Sequence, residues 1–244
     1  MISDGSGGVR FLPCGDSALT VEFGSEISPE INKRIKSFTD SVELHAVSGV
    51  LDVIPTYRSA TIVYDPARIS GSRLTKKLRK CLTFDDAGKA AEKIVHLLPV
   101  CYEGDFAPDI DNVIRHTGLS RDEVVSLHAG TDYLIYMLGF LPGFPYLGGL
   151  DARLHTPRLE QPRTRIEPGS VGIGGKQTGV YPLASPGGWQ LIGRTPVKPY
   201  DPDREKPILY QAGEYIRFFP VTEAQYEAIA SDPHYVVEVR REPS

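Results

Sequence analysis

Between Arg163 and Thr195 the sequence sets Arg163, Arg165, Lys176, Gln177, Thr178, Tyr181, Ser185, Arg194 and Thr195 among glycines and prolines. Guanidinium forks, amides and hydroxyls are the donors that recognise a carboxylate, a phosphate or a cyclic amide. We take Arg163, Arg165, Gln177, Thr178, Tyr181, Ser185 and Thr195 as candidate substrate-binding residues, and His128 and Arg194 as candidate catalytic ones. His128 falls at the end of a helix expected from Ser120, where the helix dipole would favour its charged form. A capping histidine and a catalytic one both suit that place. Donors so far apart in sequence must converge on one cleft to act together. Trp189 and Phe144 read as core or interface anchors.

Other chemistries fail on spacing. The run from Gly169 to Gly179 is rich enough in glycine to suggest a phosphate loop, but Lys176 would then need Gly at 170 and Ser or Thr at 177, which are Ser170 and Gln177. A dinucleotide fingerprint on Gly172 and Gly174 fails at the same Gln177, so a glycine-rich turn region is expected. Neither Ser170 nor Ser185 lies in a G-x-S-x-G elbow. The six histidines contain no H-E-x-x-H or comparable spacing, and no metal site is expected. Cys14, Cys81 and Cys101 are odd in number and lack C-x-x-C spacing, which suits a reducing compartment. A self-sufficient hydrolase or ATPase is not written here.

Composition bounds the partners. With 244 residues, 41% hydrophobic and 24% charged, the chain is ordinary globular material, and its net charge of −4 disfavours nucleic acid and anionic membrane. No stretch approaches the roughly 18 apolar residues of a membrane span, and the N-terminus carries no export pattern, so a cytoplasmic protein is expected.

The elements that must position these residues fall into two textures. Early on, Ser28 and Pro29 open a helix with Ile31, Ile35, Phe38 and Val42 on one stripe. Strands are expected at Ala18 to Phe23, Val50 to Ile54, Ala60 to Tyr64 and Ile94 to Val100, with a second helix through Leu74, Leu78 and Leu82. The order β-α-β-β-α-β is that of a ferredoxin-like unit. A polar stretch from Asp85 to Lys93 reads as a hinge. Farther on, Ser120 with Glu123 and Thr222 with Gln225 mark capped helices. Short strands are expected around Tyr133 to Leu138, Ser170 to Ile173, Gln190 to Gly193, Ile208 to Tyr210, Tyr215 to Phe219 and Tyr235 to Val239. Many short strands between turn residues point to a barrel or sandwich. The expected organisation is a small α/β domain over 1–92 and a β-barrel domain over 93–244, an α+β protein.

Three blocks carry a resemblance: Tyr136-Met-Leu-Gly-Phe-Leu-Pro-Gly-Phe-Pro-Tyr-Leu-Gly-Gly-Leu-Asp151, the stretch from Pro162 through Gly169 to Pro182, and Ser185-Pro-Gly-Gly-Trp-Gln-Leu-Ile-Gly-Arg-Thr-Pro196. With Gly15-Asp-Ser-Ala-Leu, Pro99-Val-Cys-Tyr102 and Phe106-Ala-Pro-Asp109, they resemble the KipI/PxpB family, which includes 5-oxoprolinase B subunits, a sporulation-kinase inhibitor and proteins labelled allophanate hydrolase subunit 1. The resemblance implies a cyclophilin-like barrel after the ferredoxin-like domain. It also implies an assembly with two partners, a KipA-like and a LamB/YcsF-like protein, that uses ATP, with Mg, to open 5-oxo-L-proline to L-glutamate. This chain alone is then expected to be inactive. A KipI-like inhibitor of a sensor histidine kinase and a component of urea or allophanate metabolism are the alternatives that the same family holds open.

Overall fold

The computed structural model describes residues 8–82 and 92–243, and the chain divides into two compact units, Met1–Ala90 and Ala91–Ser244. The expected hinge lies outside the described residues up to position 91, and Glu92 and Lys93 are already strand.

In the first unit, β1 (Arg10–Cys14), β2 (Ala18–Glu22), β3 (Val50–Pro55) and β4 (Ser59–Tyr64) form an antiparallel sheet in the order β1-β2-β4-β3. The helices are α1 (Pro29–Leu44) and α2 (Gly71–Cys81). Ser28 caps α1 by accepting the Ile31 N–H at 3.1 Å, and Ser70 caps α2 by accepting from Arg73. Ile35, Phe38 and Val42 on α1 and Leu74 and Leu78 on α2 then bury against Leu19, Val21, Ala60 and Ile62. That alternation along the strands leaves one sheet face for the helices.

One strand expected here belongs elsewhere. Ile94 to Val100 does not close this sheet; β5 (Glu92–Val100) runs in the sheet of the second unit. The edge beside β2 is taken by β1, joined to it through the short turn at Gly15, whose φ is +63°. A hairpin partner needs only a turn, whereas the largely apolar run from Ile94 to Cys101 reads the same in either sheet.

The second unit continues with α3 (Ile110–Thr117), α4 (Arg121–Ala129), β6 (Asp132–Leu138), β7 (Pro145–Gly148), β8 (Arg163–Ile166), β9 (Ser170–Gly174), β10 (Gln177–Val180), β11 (Ser185–Gly187), β12 (Gln190–Arg194), β13 (Tyr215–Pro220), α5 (Glu223–Ser231) and β14 (Val239–Pro243). Both expected capping boxes are present, Ser120 with Glu123 on α4 and Thr222 with Gln225 on α5. The large sheet has the order β12-β9-β10-β7-β6-β13-β5-β14, and β8 and β11 form a separate two-stranded ribbon.

The expected closed barrel is corrected by that order, which runs from β12 to β14 without a ladder between its ends among the described residues. An isolated antiparallel bridge, Cys101 to Arg194, ties β12 to the residue after β5. Ile208 contributes one bridge, with Tyr200, rather than a strand, and the last strand begins at Val239 instead of Tyr235. Val100, Tyr133, Ile135, Ile173, Ile192 and Phe218 fill the core over which the sheet curls. No helix among the described residues is long and apolar enough to cross a membrane.

Leu98, wholly buried on β5, tests which unit that strand supports. Leu98→Ala is expected to destabilise the second unit by about 2–5 kcal/mol while amide exchange in Arg10–Tyr64 stays at its wild-type rate. Faster exchange in the first unit would return β5 to it.

Candidate functional site

The candidate residues settle in different places, and His128 goes deepest. It lies fully buried in the last turn of α4, its ring stacked on Phe218 at 4.7 Å. Thr178 Oγ1 donates to the Gly172 carbonyl at 3.0 Å, so towards His128 Nε2, 2.8 Å away, it acts as acceptor. Nε2 therefore carries the proton, and Nδ1 accepts from the Tyr102 hydroxyl at 2.7 Å. Tyr133 donates to the His128 carbonyl at 2.8 Å. Burial pushes the Tyr102 phenol well above its ordinary value, which keeps it a donor. Burial also lowers His128 from 6.5 to about 3. The expectation that the helix dipole would hold His128 charged is thus overturned by desolvation, the larger effect for a ring with no exposed atom. Thr178 and His128 are core partners.

The glycine-rich run forms β9, a turn at Gly175 with φ of +68°, and β10. Its glycines serve packing. A Cβ on Gly174 would stand 2.3 Å from Trp189 Nε1, and one on Gly179 3.2 Å from Trp189 Cζ3, so the indole lies directly on the hairpin. Glycines occupied in this way do not fit a nucleotide phosphate. Trp189, Phe144, Tyr181, Ile166 and Leu191 make a second core cluster in this unit, with Phe144 edge-on to both Tyr181 and Trp189.

Against that cluster stands the β8–β11 ribbon, and here three candidates do come together. Ser185 pairs with Ile166 and Gly187 with Arg163, which places one extra residue on β8. The bulge breaks the two-residue alternation. Arg163 and Ile166 consequently share a face, with Ser185 beside them, while Arg165 turns outward to pair with Glu167 at 2.8 Å. The Tyr181 hydroxyl lies over the same face, 2.7 Å from where a Gly187 Cβ would be. Burial pushes Tyr181 up to about 12, against the opposing pull of Arg158 and Arg163.

Asp109 is the residue that sequence reasoning missed. Its carboxylate, 5% exposed, accepts from Arg163 Nη2 at 2.6 Å and from the Leu191 backbone N–H at 2.7 Å. Its own N–H donates to the Leu191 carbonyl at 2.9 Å. An aspartate just before a helix reads from sequence as a cap, yet it makes no cap hydrogen bond here. The segment Phe106-Ala-Pro-Asp109, with its family resemblance, was the signal that could have found it.

Arg194 and Thr195 sit at the end of β12. Thr195 donates its N–H to the Gly169 carbonyl and accepts from the Val197 N–H; the Arg194 guanidinium stands 5.6 Å from the Phe106 ring centre. Gln177 is half-buried at the start of β10. A groove of about 510 Å³ lies beside α4, lined by Tyr102, Arg121, Val125, Ser126 and Val221 among others, and none of the candidates lines it. Where whole or partial convergence on one cleft is expected, the candidates fall into a core pair, a ribbon face and the β12 end, and bulge and burial, not sequence spacing, set their directions.

Residues 9–210 match the family model for the carboxyltransferase domain, subdomain C and D. The chain is 38% identical over 224 residues to the B subunit of 5-oxoprolinase from Bacillus subtilis (strain 168), covering 88% of this chain and 93% of that one. It superposes on the crystal structure of TTHA0988 with a TM-score of 0.75 at 37% identity, over 84% of this chain, and spans only 40% of TTHA0988. On the K. lactis urea amidolyase it reaches a TM-score of 0.78 at 25% identity, over 99% of this chain and 17% of that enzyme.

His128 gives a stability signature. Unfolded, its ring binds a proton below about 6.5, which the folded chain refuses until about 3. Its contribution is therefore complete above that upper value and falls as pH drops through the window, by up to ~1.4 kcal/mol per pH unit. Urea unfolding at pH 7 and pH 5 should show this loss, and His128→Gln, though less stable, should show a shallower one. Equal slopes in the two proteins would mean that His128 takes up its proton without unfolding.

Proposed function

The chain belongs to the KipI/PxpB family, which carries the carboxyltransferase C and D subdomains, and from that premise we propose that it is the B subunit of an ATP-dependent 5-oxoprolinase. The match along nearly the whole of a B subunit of that enzyme carries this reading. The reaction opens the lactam of 5-oxo-L-proline to L-glutamate. A lactam carbonyl is a poor electrophile, and coupling to ATP hydrolysis supplies the driving force; Mg accompanies the nucleotide. The work is shared with a KipA-like partner and a LamB/YcsF-like partner in the cytoplasm, and this chain alone does not turn over. Its two units are, on this reading, a ferredoxin-like arrangement with its edge strand supplied by the N-terminal hairpin, and an open relative of the cyclophilin-like barrel.

In that assembly the chain's own residues bind and orient. Arg163, Tyr181 and Ser185 on the ribbon face supply donors, and the aromatic cluster behind them keeps the region dry, where charge-assisted hydrogen bonds are strongest. Arg194 is proposed to act at the reacting end, since it is half-buried, stands over Phe106 and leaves its Nε buried without a partner among the described residues. The likeness to urea amidolyase supports a shared domain rather than that enzyme's whole activity.

Reconstitution with the two partner proteins should give 5-oxoproline-dependent ATP hydrolysis and glutamate. Arg194→Ala should then cost at least tenfold in rate while moving the Tm of this chain by no more than ~2 °C, the scale of a partly exposed cation. Parallel loss of rate and stability would make Arg194 structural. Loss of a sensor kinase's autophosphorylation without any turnover would favour the inhibitor reading.

A further inference from the structure

Few buried polar atoms in a folded protein go without a hydrogen-bond partner, and those that do mark strain or a ligand. Among the described residues four buried side-chain atoms have none: His96 Nδ1, Arg163 Nη1, Ser185 Oγ and Arg194 Nε. Two of them lie on one face of the β8–β11 ribbon, brought there by the bulge that pairs Gly187 with Arg163 and Ile166 with Ser185. We propose that this face, beside the Tyr181 hydroxyl, is a subsite for the carboxylate of a small cyclic ligand, with Arg163 and Ser185 as donors and Asp109 as the positioning residue that aims Arg163. The inference deepens the 5-oxoprolinase reading and rests on it for the ligand's identity.

The chemistry selects a monoanion with two acceptor oxygens. Both orphaned groups are donors, and Arg163 is held by Nη2 to Asp109 at 2.6 Å, which fixes the guanidinium plane and leaves Nη1 to a second acceptor. Asp109 already balances the charge of Arg163, so a dianionic phosphate would be poorly matched. Arg158, exposed and 5.9 Å from the Trp189 ring centre, adds one further positive charge nearby. Behind the face lies the aromatic cluster of Tyr181, Phe144 and Trp189, which keeps its donors away from water. Gly187 lets Tyr181 Oη and Ile166 Cδ1 pack close against the ribbon, since a Cβ there would stand 2.7 Å from each.

Ser185→Ala carries the test, because a hydroxyl with no protein partner adds no hydrogen bond to the fold. In the reconstituted complex, Ser185→Ala and Asp109→Asn should each raise the KM for 5-oxoproline about tenfold with kcat within about twofold, and the Tm of Ser185→Ala should not fall. Arg163→Gln should do the same to KM but also lower Tm, since it strips buried Asp109 of its cation. Binding without ATP supplies the second measurement: the complex should hold 5-oxo-L-proline at least tenfold more tightly than 2-pyrrolidinone, the same ring lacking the carboxylate, and Ser185→Ala should erase most of that preference. Turnover with KM unmoved in Ser185→Ala and Asp109→Asn overturns the subsite and leaves the functional reading intact. Absence of turnover in the wild-type complex overturns the functional reading; a carboxylate preference that still depends on Arg163 and Ser185 upholds the subsite, and equal binding of the two rings overturns it.

Discussion

A carboxylate taken out of water must be matched, or it costs several kcal/mol, and Asp109 is matched by partners from distant parts of the chain. Its oxygens reach Arg163 on β8 and the Leu191 N–H on β12, while its N–H returns to the Leu191 carbonyl. The start of α3, the ribbon and the edge of the large sheet are thereby fixed to one another through one side chain. Replacing it with an apolar residue would leave the Leu191 N–H unsatisfied and release the guanidinium. The ribbon face inherits its geometry from this clamp.

The long elements were legible because their signals are local. Ser28, Pro29 and the Ile35, Phe38, Val42 stripe specify α1 within a few turns, and both capping boxes name their helices outright. The short ones were not. Strands β7, β8, β10 and β11 run over three or four residues each, and all but β8 contain Gly, so periodicity has nothing to count. The site suffered most from this. Arg163 and Arg165 look equivalent in sequence, and only the bulge opposite Ser185 and Gly187 sends one inward and the other to Glu167. His128 shows the same limit in electrostatics, since its helix position is local while its burial under Phe218 is tertiary.

At Gly174, Gly179 and Gly187 glycine serves close approach, not turning. Trp189 covers the β9–β10 hairpin because Gly174 and Gly179 present no side chains to it, and Gly187 leaves its space to the Tyr181 hydroxyl. That explains why a run which resembles a phosphate loop in composition is a packing surface in space. It also explains why the family blocks, dense in glycine and aromatic residues, reach into a single cluster.

The placement of β5 has a bearing on biosynthesis. Its partners are β13, parallel to it, and β14, at Val239–Pro243, so this apolar strand must wait for residues 215–243 before its edges are satisfied. The first unit has all its strand pairings within residues 10–64 and is able to settle while translation continues. The second is built on contacts of high sequence separation, which form slowly and leave strand edges open to other chains meanwhile. Ordered emergence from the ribosome therefore leaves Val95, Leu97 and Leu98 uncovered during the interval that the topology imposes.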